Sequence, residues 1–277
     1  MTSYANKSYP DELRTFRAYA ERQLEGRVRC GDALQFLRCL SDDSAGIVFL
    51  DPPFNLRKTY SEKHAKLDCR PKDEYGKWLL DLLSESSRVL KSGGALYLYH
   101  LPLWAMRLGA SLDKHLQFQH WIAISMKNSF VRGKRLYPAH YALLYFTKGN
   151  PAHFNRPKLA PLVCRHCGNL VRDYGGYRKI IEEKGVNLSD FWDDLSPVRH
   201  HNRKYRNANE LPEAFFDRVI EISGSPGLLY VDPFAGSGSG ITAAARAGLT
   251  FEACDLIEAN CAIICERLDE LNSSNRE

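Results

Sequence analysis

The sequence predicts an α/β fold built on a doubly wound, mostly parallel sheet, and three observations carry that reading. Short apolar runs of strand character alternate with stretches of helical spacing over residues 28–148 and again over 228–271, the pattern of a parallel sheet with crossover helices. One apolar run, residues 46–50, stops abruptly at Asp51-Pro52-Pro53-Phe54. Another, residues 228–231, runs into Asp232-Pro233-Phe234-Ala235-Gly236-Ser237-Gly238 and then an alanine-rich helix over 241–247. Loops at the carboxyl edge of such a sheet border its ligand crevice.

The elements follow in order. Residues 11–25 have helical spacing behind Pro10, which predicts a helix packed on the outside of the main domain. Val28 to Cys30 reads as a strand ending in a Gly31-Asp32 turn, with Asp32 placed to cap a helix that runs to Leu40. Residues 56–70 are polar and basic and read as a loop able to close over a substrate, or as a linker. A helix is expected over 73–90, a buried strand over 95–100, a helix over 103–115 and two strands over 118–126 and 139–147. The bridge between those two strands, 127–135, mixes positive charge with Phe130.

From 149 to 206 the periodicity gives way to prolines, glycines and charges. Helices over 213–222 and 258–271 and a strand over 250–254 complete the pattern, with Cys261 and Cys265 on one core-facing side of the last helix. The chain therefore divides into residues 1–148, an insertion over 149–206, and residues 207–277.

Asp-Pro-Pro-Phe is a small, stiff acceptor site. A carboxylate and a proline carbonyl can both accept hydrogen bonds from an amino group, and Phe54 offers a flat face on which a base can stack. The glycines of the second motif let backbone approach a ligand, and Asp255, about twenty residues beyond, is placed for ribose hydroxyls. Alone, this second motif suits a dinucleotide site equally well.

Together the two motifs point further. Asp51-Pro52-Pro53-Phe54 resembles the catalytic motif of amino-group DNA methyltransferases, and Asp232 to Gly238 is similar to their S-adenosylmethionine loop. Catalytic motif first and cofactor motif last is the order of the beta class, and the resemblance spans about residues 28–268. It implies a permuted, Rossmann-like sheet of seven strands whose last hairpin inserts one antiparallel strand, with the 149–206 insertion as target-recognition region. The implied reaction moves a methyl group from S-adenosylmethionine to adenine N6 in a flipped-out base of double-stranded DNA, for restriction–modification or for protecting genome or phage DNA.

Asp rather than Ser at position 51 favours adenine over the alternative, cytosine N4. The residues implied as catalytic are Asp51, Pro52, Pro53 and Phe54. For the cofactor they are Asp32, Ala33, Asp51, Asp232, Pro233, Phe234, Ala235, Gly236, Ser237, Gly238, Asp255 and Leu256. Asn209, in Asn209-Glu210-Leu211-Pro212, stands where the family usually has Thr, and Leu211 where Lys is common. Other classes compete: a DNA-binding protein with a degenerate methyltransferase fold, or an NAD-linked oxidoreductase in which Asp-Pro-Pro-Phe is incidental.

Charge supports a DNA partner. The chain carries a net +5, and residues 151–206 hold eleven Lys or Arg against six Asp or Glu, an excess of 11 − 6 = +5, so the rest is balanced. Such local excess suits a phosphate backbone. Arg57, Lys58, Lys127, Arg132, Lys134, Arg135, Arg199, Arg203 and Lys204 are the expected DNA contacts.

Cys164-Arg165-His166-Cys167 is half of a zinc-ribbon-like signature whose other half is absent, so a reduced structural pair and no metal are expected. Scattered cysteines, no long apolar run and a polar start over 1–10 fit a soluble, cytoplasmic protein without a transmembrane helix or a secretory signal. A homodimer and a companion restriction endonuclease complete the expected partners.

Overall fold

The structure, a computed structural model, describes residues 13–21, 24–56, 69–126, 133–134, 136–172, 174–195 and 210–274. It opens on an antiparallel hairpin, β1 (Arg14–Glu21) and β2 (Leu24–Cys30), where the sequence predicted a helix. The ladder has an irregularity between Thr15 and Arg17. Such a bulge shifts the period-two alternation by one residue. Phe16 and Tyr19, three apart, therefore both pack on the core, which imitates helical spacing in the sequence.

Beyond β2 come α1 (Ala33–Arg38), β3 (Ala45–Leu50), α2 (Lys72–Val89), β4 (Leu90–His100), α3 (Pro102–Leu112), β5 (Gln117–Ser125) and β6 (His140–Thr147). After β6 come β7 (Lys158–Leu159), α4 (Arg178–Lys184), β8 (Val186–Asn187) and β9 (Phe191–Trp192). The chain then returns through α5 (Glu213–Ser223), β10 (Leu229–Asp232), α6 (Ser239–Arg246), β11 (Thr250–Asp255) and α7 (Glu258–Ser274).

The main sheet has the order β1-β2-β11-β10-β3-β4-β6-β5-β9. Its middle seven strands, β2 to β5 in that order, are parallel except for β6, which lies antiparallel between β4 and β5 as the hairpin expectation required. Two edge strands not foreseen, β1 and β9, extend it to nine. Every residue of β3 is buried, because a central parallel strand is covered on both faces and needs no polar side. Ile47 and Phe49 pack with α5, α6 and α7, whereas Val48 and Leu50 pack with α1, α2 and α3. The sheet is thus doubly wound.

The segment between β6 and α5 is anchored near its end. β9 adds to the edge of β5 by pairing Ala123 with Phe191 and Ile124 with Trp192. Trp192 is buried edge-on against Phe215, and Arg218 lies over its ring while holding Asp194 at 2.9 and 2.6 Å. Cys164 and Cys167 sit at the tip of a turn closed by Val163 and Leu170. Backbone N–H groups of Cys167 and His166 hold the Cys164 thiol below its usual range. Among the described residues no three metal-ligating side chains gather, and no helix is long and apolar enough to cross a membrane.

Candidate active site

The two motifs arrive side by side. β10 and β3 are parallel neighbours with Tyr230 opposite Ile47 and Val231 opposite Val48, so Asp232 and Asp51 emerge from the same edge. From β10 the chain crosses through α6 to β11 on one side, and from β3 through α2 to β4 on the other. The strand order reverses between them, and such a switch point is where open α/β sheets bind ligands.

At the end of β3 the ladder stops because two consecutive prolines cannot donate to it. Pro52 is buried, while Asp51, Pro53 and Phe54 are partly buried. Asn55 follows at φ +57°, a left-handed conformation that Asn tolerates. Its side chain donates to the Arg70 carbonyl (2.8 Å) and accepts from the Arg70 amide (2.7 Å), tying the two ends of the intervening segment together. The Arg70 guanidinium lies 4.4 Å from the centre of the Trp78 ring, and Trp78 meets Phe234 of the glycine loop edge-on at 5.9 Å.

The Phe54 ring stacks on His100 at 4.8 Å and 25°, and it touches Tyr99 and Tyr141 at 5.9 and 5.8 Å. One face of the ring expected to receive a base is therefore held by the last residue of β4. Tyr75, from the first turns of α2, donates to the Pro53 carbonyl at 2.5 Å. Of the two proline carbonyls, Pro53's is committed to Tyr75, which leaves Pro52's as the candidate acceptor for an amine.

The glycine loop is held by carboxylates. Asp232, buried, accepts from the Phe234 amide at 2.9 Å. Asp255 accepts from the Gly236 amide (3.0 Å), the Ile257 amide (2.8 Å) and the Asn260 side chain (2.9 Å). Its first duty is thus to shape the loop, a task the sequence reading did not give it. A carboxylate has about four lone-pair positions, so a ribose hydroxyl would join an already occupied group. Asp32 caps α1 through one oxygen, accepting from Leu34 and Gln35 at 2.9 and 3.0 Å, as expected. Ala33 and Leu256 flank these carboxylates on the same edge, and the Gly31 amide donates to the Asp255 carbonyl.

Gly236 and Gly238 have φ of +56° and +81°. A Cβ on Gly238 would come within 2.8 Å of the Ile264 side chain. Gly238→Ala is therefore expected to cost about 1–3 kcal/mol in backbone strain alone, read as a lowered thermal midpoint; an unchanged midpoint would contradict this account of the loop. Arg267, buried in α7, donates to the Ser237 carbonyl and to Glu213 at the start of α5, clamping the far side of the loop.

Among the expected DNA contacts, Lys134 is exposed. Arg57, Lys58, Lys127, Arg132, Arg135, Arg199, Arg203 and Lys204 lie outside the described residues, as does Asn209. Leu211 is buried in the core. Sequence reasoning missed Asn55, Arg70, Tyr75, Trp78 and His100. The available signal was His100, a polar residue closing an otherwise apolar strand.

The fold and the paired strand-end motifs define an α/β protein with a candidate ligand site at the switch point of its sheet. A family model of N6/N4 DNA methylases matches residues 46–266, and the chain belongs to that family. The type II methyltransferase M.BamHI of Bacillus amyloliquefaciens is 40% identical over 244 residues, covering 88% of this chain and 57% of that one. The DNA adenine methyltransferase YhdJ of Escherichia coli (strain K12) is 28% identical over 211 residues, covering 75% and 70%. This chain spans 65% of the type II methyltransferase M.HpaI of Haemophilus parainfluenzae, so it is shorter than several relatives it matches. Two solved structures share the fold: the cytosine-N4-specific PvuII DNA methyltransferase (TM-score 0.64, 15% identity, 87% and 86% covered) and M1.HpyAVI with S-adenosylmethionine (TM-score 0.58, 15% identity, 87% and 98% covered).

Proposed function

We propose that this protein transfers a methyl group from S-adenosylmethionine to an exocyclic amine of a DNA base, adenine N6 being the target. The observation that carries the proposal is the emergence of Asp51-Pro52-Pro53-Phe54 and the glycine loop from adjacent parallel strands at one edge. The site fits the cofactor by its chemistry. Asp32, Asp232 and Asp255 supply acceptors suited to ribose hydroxyls and an ammonium group, the loop amides at positive φ let backbone come close, and Trp78 with Phe234 forms an apolar wall. When bound, S-adenosylmethionine supplies an electrophilic methyl on a sulfonium.

An aromatic amine is a weak nucleophile because its lone pair is delocalised into the ring. In this reading its two N–H groups donate to the Asp51 carboxylate and the Pro52 carbonyl, which localises the lone pair on nitrogen. After transfer the amine must lose one proton, which in this reading passes to the Asp51 carboxylate. The base has to leave the duplex to reach the site, and the ring of Phe54 offsets part of the lost stacking. Restriction–modification, with a companion endonuclease, is the setting proposed for it.

A second reading, cytosine N4, is supported by the shared fold of the cytosine-specific PvuII enzyme. Asp51 favours adenine, since cytosine-N4 members of the family usually carry Ser there. Mixed-sequence duplex DNA, incubated with isotopically labelled S-adenosylmethionine and digested to nucleosides, separates the two by mass. Label is expected in N6-methyladenine; label in N4-methylcytosine would transfer the assignment, and no label would overturn the activity.

A further inference from the structure

Behind the Asp-Pro-Pro-Phe segment, His100 and Tyr75 form a buried polar pair that the proposed chemistry does not use. Tyr75 is 2% exposed and His100 fully buried. Three hydrogen bonds connect them to the site: the Leu101 amide to His100 Nδ1 at 2.7 Å, His100 Nε2 with the Tyr75 hydroxyl at 2.7 Å, and the Tyr75 hydroxyl to the Pro53 carbonyl at 2.5 Å.

The direction of this chain is fixed by counting hydrogens. A carbonyl cannot donate, so the single hydroxyl hydrogen of Tyr75 goes to Pro53. The proton between Tyr75 and His100 must then sit on Nε2. That leaves Nδ1 as an acceptor, which is the role the Leu101 amide demands of it. Only the neutral Nε2–H tautomer satisfies all three bonds, because a protonated ring would set an N–H against the Leu101 N–H. The lowering of the His100 pKa by burial agrees.

We propose that Tyr75 and His100 are positioning residues for methyl transfer: a one-way relay from the Leu101 amide ends on the Pro53 carbonyl, and the same imidazole backs the Phe54 ring. The relay orients the peptide between Pro53 and Phe54, and through it the Pro52 carbonyl and the Phe54 ring to which the transfer mechanism assigns the amine and the base. It rests on the methyltransferase reading for its consequence but not for its geometry. Misplacement by a fraction of an ångström is costly where catalysis depends on alignment.

The test uses the full chain in three variants. Tyr75→Phe removes the last donor, His100→Phe keeps a flat ring against Phe54 but no relay, and His100→Gln keeps an amide donor towards Tyr75. Single-turnover transfer to mixed-sequence duplex DNA is expected to fall 10- to 100-fold in Tyr75→Phe and His100→Phe. S-adenosylmethionine affinity should stay within twofold, and His100→Gln, which keeps the donor but not the ring, should recover part of the rate. Wild-type turnover in Tyr75→Phe would overturn the proposal, as would an equal loss in all three variants that follows their thermal stability.

A second readout does not need activity. In 15N-histidine-labelled protein, His100 should show the Nε2–H tautomer, unchanged down to pH 5, with its Nε2 signal moving in Tyr75→Phe. A wild-type protein that methylates no DNA yet shows this signature would sink the functional reading and leave the relay standing. An Nδ1–H tautomer, or titration near pH 6.5, would sink the relay itself.

Discussion

Asp51→Ala is expected to lower the rate of methyl transfer by about 10²–10³-fold, the loss typical when one preorganised polar contact to a developing charge is removed, while S-adenosylmethionine binds within about threefold of wild type. Two features of the site lead to that split. Asp51 stands at the end of β3, and its carboxylate is the group proposed to accept an amine hydrogen. The cofactor loop is shaped independently, by Asp232 on the Phe234 amide, by Asp255 on Gly236 and by Arg267 on Ser237.

The substitution therefore removes an interaction made to the reacting amine and leaves the loop intact, and such a loss appears in kcat rather than in cofactor affinity. Asp51→Asn should fall between the two, since an amide oxygen still accepts one hydrogen bond but cannot take the proton. Single-turnover kinetics with calorimetric cofactor titration would check both. Near-normal transfer by Asp51→Ala would remove the carboxylate from the mechanism, and a matching loss of cofactor affinity would make it a loop residue.

What the sequence made legible were features whose cause is local. β3 could be read because a fully buried parallel strand is a continuous apolar run, and its end because two prolines cannot extend a ladder. The glycine loop could be read as a turn because positive φ at Gly236 and Gly238 needs glycine. β1 was misread because a bulge near Phe16 alters the alternation on which strand recognition depends, and a bulge is set by the partner strand. Tyr75 was illegible for another reason. With Leu79, Leu82 and Leu83 it forms an ordinary buried stripe along α2, and only the fold brings its hydroxyl to Pro53. Asp255 shows how a residue can carry a role its position does not announce: it accepts from Gly236, Ile257 and Asn260, donors that only the fold gathers around it.

Acid is expected to destabilise this protein through His100. Burial among Phe54, Tyr75 and Trp104 pulls its pKa from 6.5 down to about 3. Between those values the unfolded chain binds a proton that the folded chain refuses, so the unfolded state holds more protons and stability rises with pH. The His100 contribution is complete above pH 6.5 and is lost progressively as pH falls towards 3, with a limiting slope of about 1.4 kcal/mol per pH unit for one group. Urea unfolding at pH 7.5, 5.5 and 4.5 would measure it, compared with His100→Gln, whose amide does not titrate.

The difference between the two proteins should open below pH 6.5, with wild type losing the more stability. Parallel pH profiles would mean that His100 keeps its ordinary pKa, and the Leu101 amide could then not have a permanent acceptor in Nδ1. The same protonation that costs stability would break the chain to Pro53. Loss of the relay and loss of the fold should therefore coincide, and the Nε2–H signature of His100 should persist down to the pH at which the fold itself begins to fail.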